Sequence, residues 1–353
     1  MAIERCRPAV LHARARLAAV ALLVAGAFLA AGGCGPAGDA AEFHGATMGT
    51  RYAVKVARLP PGIRRAALAA RIEARLEHVN ACMSTYRPDS ELSRFNRSPS
   101  TDWFPVSADT VRVVHAALEV SRVTDGAFDV TVGPLVNLWS FGPEPRESAA
   151  PEAAAIAERL GAVGWSRLEV RLDPPALRKL RGDLQVDLAA IAKGYGVDVL
   201  AGLLEECGGR DYLVEIGGEV RLRGNRADGT PWTVGIEAPD PERRRVEEVL
   251  VPGTAAVATS GDYRNFFEQD GERYSHTIDP RTGRPIRHAL AAVTVVTDTC
   301  MRADALATAL MVLGPGDGSE FAVRQGLAAL FFVHTETGIA RKTTPAFEAL
   351  AAR

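Results

Sequence analysis

The sequence predicts an α+β fold with largely antiparallel sheet. Three observations lead there. Helical and strand-like patterns are interleaved without a regular βαβ period. Hairpin-like strand runs fill the middle of the chain, from about residue 212 to 260. Neither a GxGxxG after a strand nor a P-loop occurs, which leaves the two commonest nucleotide-binding folds without support.

Taken in order, Arg51–Val56 alternates as a strand does, and Ile63–Val79 places its apolar residues at helical spacing. Thr110–Thr124 reads as a second helix, with Ser107 or Asp109 as its cap. Residues 142–155 read as a loop entering a short helix. Trp165–Leu172 and Arg181–Asp187 look like a strand pair around Asp173, Pro174 and Pro175. Ala189–Cys207 is a strong helix stopped by Gly208 and Gly209. Strands follow at Tyr212–Ile216, Glu219–Arg223, Trp232–Glu237, Val246–Val251 and Ala255–Thr259. Ala291–Val296 is a further strand, Arg302–Leu313 a helix, and Leu327–Thr335 a last strand.

The first 33 residues read as an export signal. Arg5, Arg7, Arg14 and Arg16 precede the apolar run Leu17–Ala31, which is short for a membrane span of about 20 residues. Ala31, Gly32 and Gly33 before Cys34 resemble a bacterial lipobox, although the pattern prefers Leu where Ala31 stands. The expectation is a chain anchored by a lipid on Cys34, on the periplasmic side of an inner membrane. An ordinary cleaved signal or an uncleaved anchor is the alternative. Residues 34–42 read as a linker and 43–345 as one domain.

The 353 residues are 47% hydrophobic and 24% charged, enough for a sizeable core. A net charge of −2 offers no basic field for nucleic acid. Cys82, Cys207 and Cys300 are far apart, so a zinc site is not expected, and each reads as a buried thiol.

Four segments can carry chemistry. On a helix, Asp304 and Thr308 lie four apart on one face and could meet one hard cation. The plain alternative is an Asp near a helix start and a Thr bonded to its own backbone. Asp187 stands where a strand enters a helix, as a cap or as a functional carboxylate, and Lys193 follows as a phosphate-directed charge or a solvated lysine. His276, before a Pro/Gly turn, suits proton abstraction from a hydroxyl, though it also reads as structural. Gly217-Gly218-Glu219, Thr259-Ser260-Gly261-Asp262-Tyr263 and Gly126-Ala127-Phe128-Asp129 let backbone approach a ligand, or are simple turns.

In this order these segments resemble one family. With Thr47-Met48-Gly49-Thr50, Ser84 to Asn96, Gly126 to Leu135 and Ser275 to Pro280 they look like the signatures of the ApbE-type FAD:protein FMN transferases, across about residues 43–315. The resemblance implies a T-fold-like, two-lobed α+β domain. It implies an enzyme that splits FAD, attaches FMN through a phosphoester to a Thr or Ser hydroxyl of a target protein, and releases AMP with Mg²⁺ as cofactor. The expected targets are redox-pump subunits or periplasmic flavoproteins. By resemblance Met48, Tyr86, Ala127, Phe128, Asp129, Asp187, Lys193, Glu219 and Ile278 line the FAD site. Asp304 and Thr308 hold the metal with the Ala190 and Ala307 carbonyls, Asp304 serves catalysis, and His276 is the base. Thr277 departs from the family's commoner Ile. An FAD pyrophosphatase and a flavin-binding lipoprotein without turnover remain as alternatives. The chain shows no Asp-Gly-x-Ser/Thr-Gly-Ala-Ser/Thr acceptor motif, so self-modification is not expected.

Overall fold

Period-two runs of apolar residues build one eight-stranded antiparallel sheet. In chain order the elements that matter are β1 (Ala41–Thr47), β2 (Thr50–Val56), α1 (Arg65–Met83), α2 (Ala108–Val123), α3 (Ala189–Glu206), β3 (Tyr212–Ile216), β4 (Glu219–Arg223), β5 (Ala255–Gly261), β6 (Leu290–Thr297), α4 (Cys300–Leu313), β7 (Ala328–Thr335) and β8 (Gly338–Thr343). The strands lie side by side in that sequence, β1 to β8. The computed structural model describes residues 40–144, 149–240, 245–262 and 265–351. The export signal, Cys34 and the linker up to residue 39 lie outside the described residues, as does Tyr263. Among the described residues no helix is long and apolar enough to cross a membrane.

Both sheet faces are buried, and alternate residues divide between them. Ala256, Val293, Val295, Ala329 and Phe331 face the helix layer, where α1, α3 and α4 pack. Val257, Ala292, Leu330 and Phe332 face outward beneath Trp232, Ile236 and Phe347. Burial on two faces explains why β6 reads as a nearly continuous apolar run rather than a clean alternation. The outer cover is a hairpin, Val234–Glu237 with Val246–Leu250, plus the C-terminal helix Pro345–Ala351.

The local signals mostly hold. Ser107 caps α2, its side chain accepting from the Thr110 N–H. The α3 helix ends in a Schellman arrangement: Gly208 has φ 85°, and Gly209 N–H donates to the Leu204 carbonyl at 2.8 Å. One expected strand is corrected. Leu168–Arg171 returns through Asp173–Pro175 into Ala176–Lys179, and 181–187 is not a strand. The backbone there is satisfied by side chains instead of a ladder. Asn96 bonds both the N–H and the carbonyl of Val186, at 2.8 Å each. Fully buried Lys179 donates to the Phe95, Asn96 and Leu184 carbonyls at 3.1–3.2 Å.

All three body cysteines are free thiols. Cys82 and Cys300 are buried as expected, but Cys207 is only half-buried, with Arg71 donating to its sulfur at 2.9 Å.

Candidate active site

The crossing of α3 and α4 is so close that only glycine fits at 194. A Cβ there would come within 2.8 Å of Met301 Cα and nearer still to the Cys300 carbonyl. The N-terminus of α4 is held from α3: the Asp198 carboxylate accepts from the N–H groups of Cys300 (3.0 Å) and Met301 (2.9 Å), and Arg221 donates to it at 2.8 Å. Helix starts leave such N–H groups without partners, and a carboxylate also suits the helix dipole. We expect Gly194→Ala to lower stability by about 1–3 kcal/mol through overpacking against backbone; urea unfolding of the variant measures it.

That crossing presents a charged cluster. Asp304 Oδ2 accepts from the Gly194 N–H at 2.9 Å, and Oδ1 lies 3.5 Å from Lys193 Nζ. Lys193 also donates to Glu219 Oε1 at 2.8 Å. Burial works against the lysine's charge, but Asp304 and Glu219 outweigh it and hold its pKa above the ordinary value. Burial raises the pKa of Glu219, with Asp304 adding to the rise and Lys193 opposing it. Its Oε2 is buried without a hydrogen-bond partner. Thr308, one turn along α4 from Asp304, shares a 3.1 Å hydrogen bond with Ser260 on β5.

A cavity of about 420 Å³ opens over this cluster. Lys193, Glu219, Asp304, Thr308 and Ala190 line one side. Ala127, Phe128, Asp129 and Ile278 line it elsewhere, with Asp187 and the 69% exposed Tyr86. Asp187 is placed by its N–H bond to the Val130 carbonyl at 2.7 Å, and its side chain accepts from Ala189 N–H at 2.8 Å. Leu188 holds the cap position of α3, so Asp187 stands one residue before it as a cavity carboxylate bonded to the first helical N–H, and burial raises its pKa. Asp129 accepts from the Thr131 N–H and hydroxyl and from Trp165 N–H, at 2.7–2.8 Å, so its carboxylate is engaged in shaping its own loop. Met48 and Ala307 do not line this cavity. Met48 takes φ 49° in the β1–β2 turn and packs near Gly196, while Ala307 is buried among the helices.

His276 lines the same cavity from the end of the hairpin Phe266–Gln269/Glu272–Ser275. Its Nδ1–H donates to the Asn265 carbonyl at 3.0 Å, which leaves Nε2 as the lone-pair nitrogen. Burial pushes its pKa down, against the Asn265 carbonyl and Asp262. The ring meets the edge of Phe141, which stacks on through Phe267 and Tyr274 to Trp139. Thr277 also lines the cavity, and its N–H donates to Ser275 Oγ at 3.2 Å.

Among the described residues no group of three or more His, Cys, Asp or Glu could hold a metal alone. The donors do fit a hard cation that shares its shell with phosphate and water. Glu219 and Asp304 outnumber the Lys193 charge, Glu219 Oε2 lacks a partner, and the Thr308 hydroxyl adjoins them.

The ApbE family model matches residues 48–331. The chain belongs to the ApbE family. An ApbE-family relative, the FAD:protein FMN transferase of Vibrio cholerae, is 45% identical over 327 residues, covering 93% of this chain and 97% of the relative. That of Haemophilus influenzae is 44% identical over 316 residues, covering 88% and 91%. The solved flavin transferase ApbE from Vibrio cholerae superposes with a TM-score of 0.82 at 45% identity, covering 88% of this chain and 99% of that one. The α+β, antiparallel reading of the sequence is thereby met by the ApbE fold.

Three residues of the ApbE-like site escaped the sequence: Asn265, Phe141 and Asp198. Asn265 and Asp198 act through contacts to partners 11 and 102 residues away, which no local spacing reveals. The hairpin beside His276 did carry a signal. Asp270 and Gly271, flanked by strand-like residues, take φ 53° and 77° as a two-residue hairpin turn requires.

Proposed function

We propose that the chain is a Mg²⁺-dependent FAD:protein FMN transferase that attaches FMN to a Thr or Ser hydroxyl and releases AMP. What carries this reading is one juxtaposition: a histidine with an open Nε2 lines the same cavity as the Lys193–Asp304–Glu219 cluster. Passive flavin binding requires no such base. The names of the 44–45% identical relatives support the same activity.

Phosphoryl transfer is mainly positioning and charge neutralisation. In this reading the acceptor hydroxyl oxygen attacks the phosphorus of the FMN half. The new P–O ester forms as the P–O bond to AMP breaks. His276 Nε2 takes the hydroxyl proton, and AMP leaves with the bridging oxygen. Lys193 sets a positive charge beside the pyrophosphate. Asp304 and Thr308, with the Ala190 carbonyl implied by the family, would hold the metal. Bound there, Mg²⁺ would neutralise the pyrophosphate and the charge on departing AMP.

The deciding assay incubates the protein with FAD, Mg²⁺ and candidate acceptors, then follows AMP and covalent flavin fluorescence on a denaturing gel. AMP with fluorescent protein supports transfer. AMP with free FMN supports a pyrophosphatase, and bound FAD without AMP a carrier. The proposal extends to export and a lipid on Cys34, which mass spectrometry of the mature N-terminus tests.

A pH profile follows from His276. Its pKa lies below the ordinary 6.5, so the ring stays neutral, and able to accept a proton, as pH falls to that value. The ratio of wild-type transfer to that of His276→Ala should therefore hold level from pH of about 8 down to about 6.5 and decline only below, because Glu219, raised to about 7, titrates in both chains. A decline of that ratio centred above 6.5 would contradict the base assignment.

A further inference from the structure

We infer that Glu219 is a positioning residue that draws the Lys193 ammonium off Asp304 and so keeps one Asp304 oxygen open to the metal. This rests on the metal-dependent transferase reading and adds a residue that acts through Lys193, outside the metal's own shell.

The placement begins with a turn. Gly217 and Gly218 take φ 64° and 107°, and the hairpin they close pairs Ile216 with Glu219. Val220 and Leu222 pack in the outer-face core, so alternation sends Glu219 and Arg221 to the helix side. There Arg221 holds Asp198 of α3, and Glu219 meets Lys193 of the same helix. Glu219 is 4% exposed. Its Oε1 faces the lysine. Its Oε2 lies 3.4 Å from the place a Cβ on Gly217 would take, and no donor reaches it. With one partner and no second donor to share its charge, the carboxylate holds that partner strongly in a buried setting.

The distances show the consequence. Lys193 Nζ sits 2.8 Å from Glu219 Oε1 and 3.5 Å from Asp304 Oδ1. Among the described residues it has no third acidic partner. Asp304 Oδ2 is taken by the Gly194 N–H. Oδ1 is therefore the oxygen left for a cation, and the Lys193 ammonium competes for it. Two cations at contact distance on one oxygen repel each other strongly. Glu219 decides that competition by holding the ammonium at the longer distance from Asp304. With Gln at 219, the only carboxylate left to Lys193 is Asp304, and the pair closes over Oδ1.

The test titrates Mn²⁺ alone into wild type, Glu219→Gln, Lys193→Met and the double variant. A pH of about 8 keeps Glu219, raised to about 7, ionised. Electron spin resonance of free Mn²⁺ reads the affinity, and thermal unfolding checks that each chain is folded. We expect Glu219→Gln to bind Mn²⁺ at least about tenfold more weakly than wild type. In the Lys193→Met background the same change should cost a factor at least about tenfold smaller, because the competing ammonium is gone. A crystal structure of wild type with Mn²⁺ should show Lys193 on Glu219, and no Glu219 oxygen within about 2.5 Å of the ion. That structure decides the matter if a variant fails to fold. Equal penalties in the two backgrounds, or a Glu219 oxygen bound to Mn²⁺, would make Glu219 a ligand and overturn the proposal. Unchanged affinity in Glu219→Gln would overturn it too. None of these outcomes touches the transferase reading, which fails separately if wild type binds Mn²⁺ and releases AMP from FAD but labels no acceptor. Absence of Mn²⁺ binding by wild type would overturn the metal assignment and the proposal with it.

Discussion

Asp304→Asn should lower FMN transfer by about 10²–10³-fold while the protein remains as stable as wild type. The substitution keeps an oxygen that can accept from the Gly194 N–H but removes the charge that faces Lys193 and the cavity. Asp304→Ala should lose activity and still fold. It should also cost about 1–3 kcal/mol, because the Gly194 N–H is left buried without its acceptor. Covalent flavin fluorescence in saturating Mg²⁺ measures the first effect and thermal unfolding the second. Full activity of Asp304→Ala would remove both the metal and the catalytic assignment.

His276→Ala should reduce transfer by about 10²–10⁴-fold and leave FAD binding intact. The ring contributes a proton acceptor at Nε2, and its Nδ1–H contact is only to the Asn265 carbonyl. That carbonyl also accepts the His276 backbone N–H at 3.1 Å, so the hairpin end keeps one tie after truncation. Flavin fluorescence quenching gives the affinity and the gel assay gives the turnover. Normal turnover would sink the base role.

The helices α3 and α4 and the β3–β4 hairpin were legible because their signals are local. Apolar spacing, a glycine stop and a Gly-Gly turn fix each within a few residues. The candidate site was legible in part for the same reason. Lys193 and Asp304 sit on well-read helices, and their order along the chain matched a known family. Their mutual contact was not legible, since it depends on how closely α3 and α4 cross at Gly194. Segment 181–187 misled because Leu184 and Val186 are buried in the core as strand residues would be, while their backbone groups bond to Lys179 and Asn96 rather than to a neighbouring strand. A lysine with no exposure is something composition gives no reason to expect.

The α3–α4 crossing also bears on how such a chain can diversify. Gly194 serves two demands with one residue: it lets the helices touch, and its N–H orients Asp304. Drift at that crossing is penalised twice, once as lost stability and once as lost chemistry. The hairpin that carries His276 meets neighbouring segments through ring stacking, which tolerates exchange among aromatic side chains. Libraries meant to change flavin preference should therefore vary residues 266–275 and hold the crossing constant.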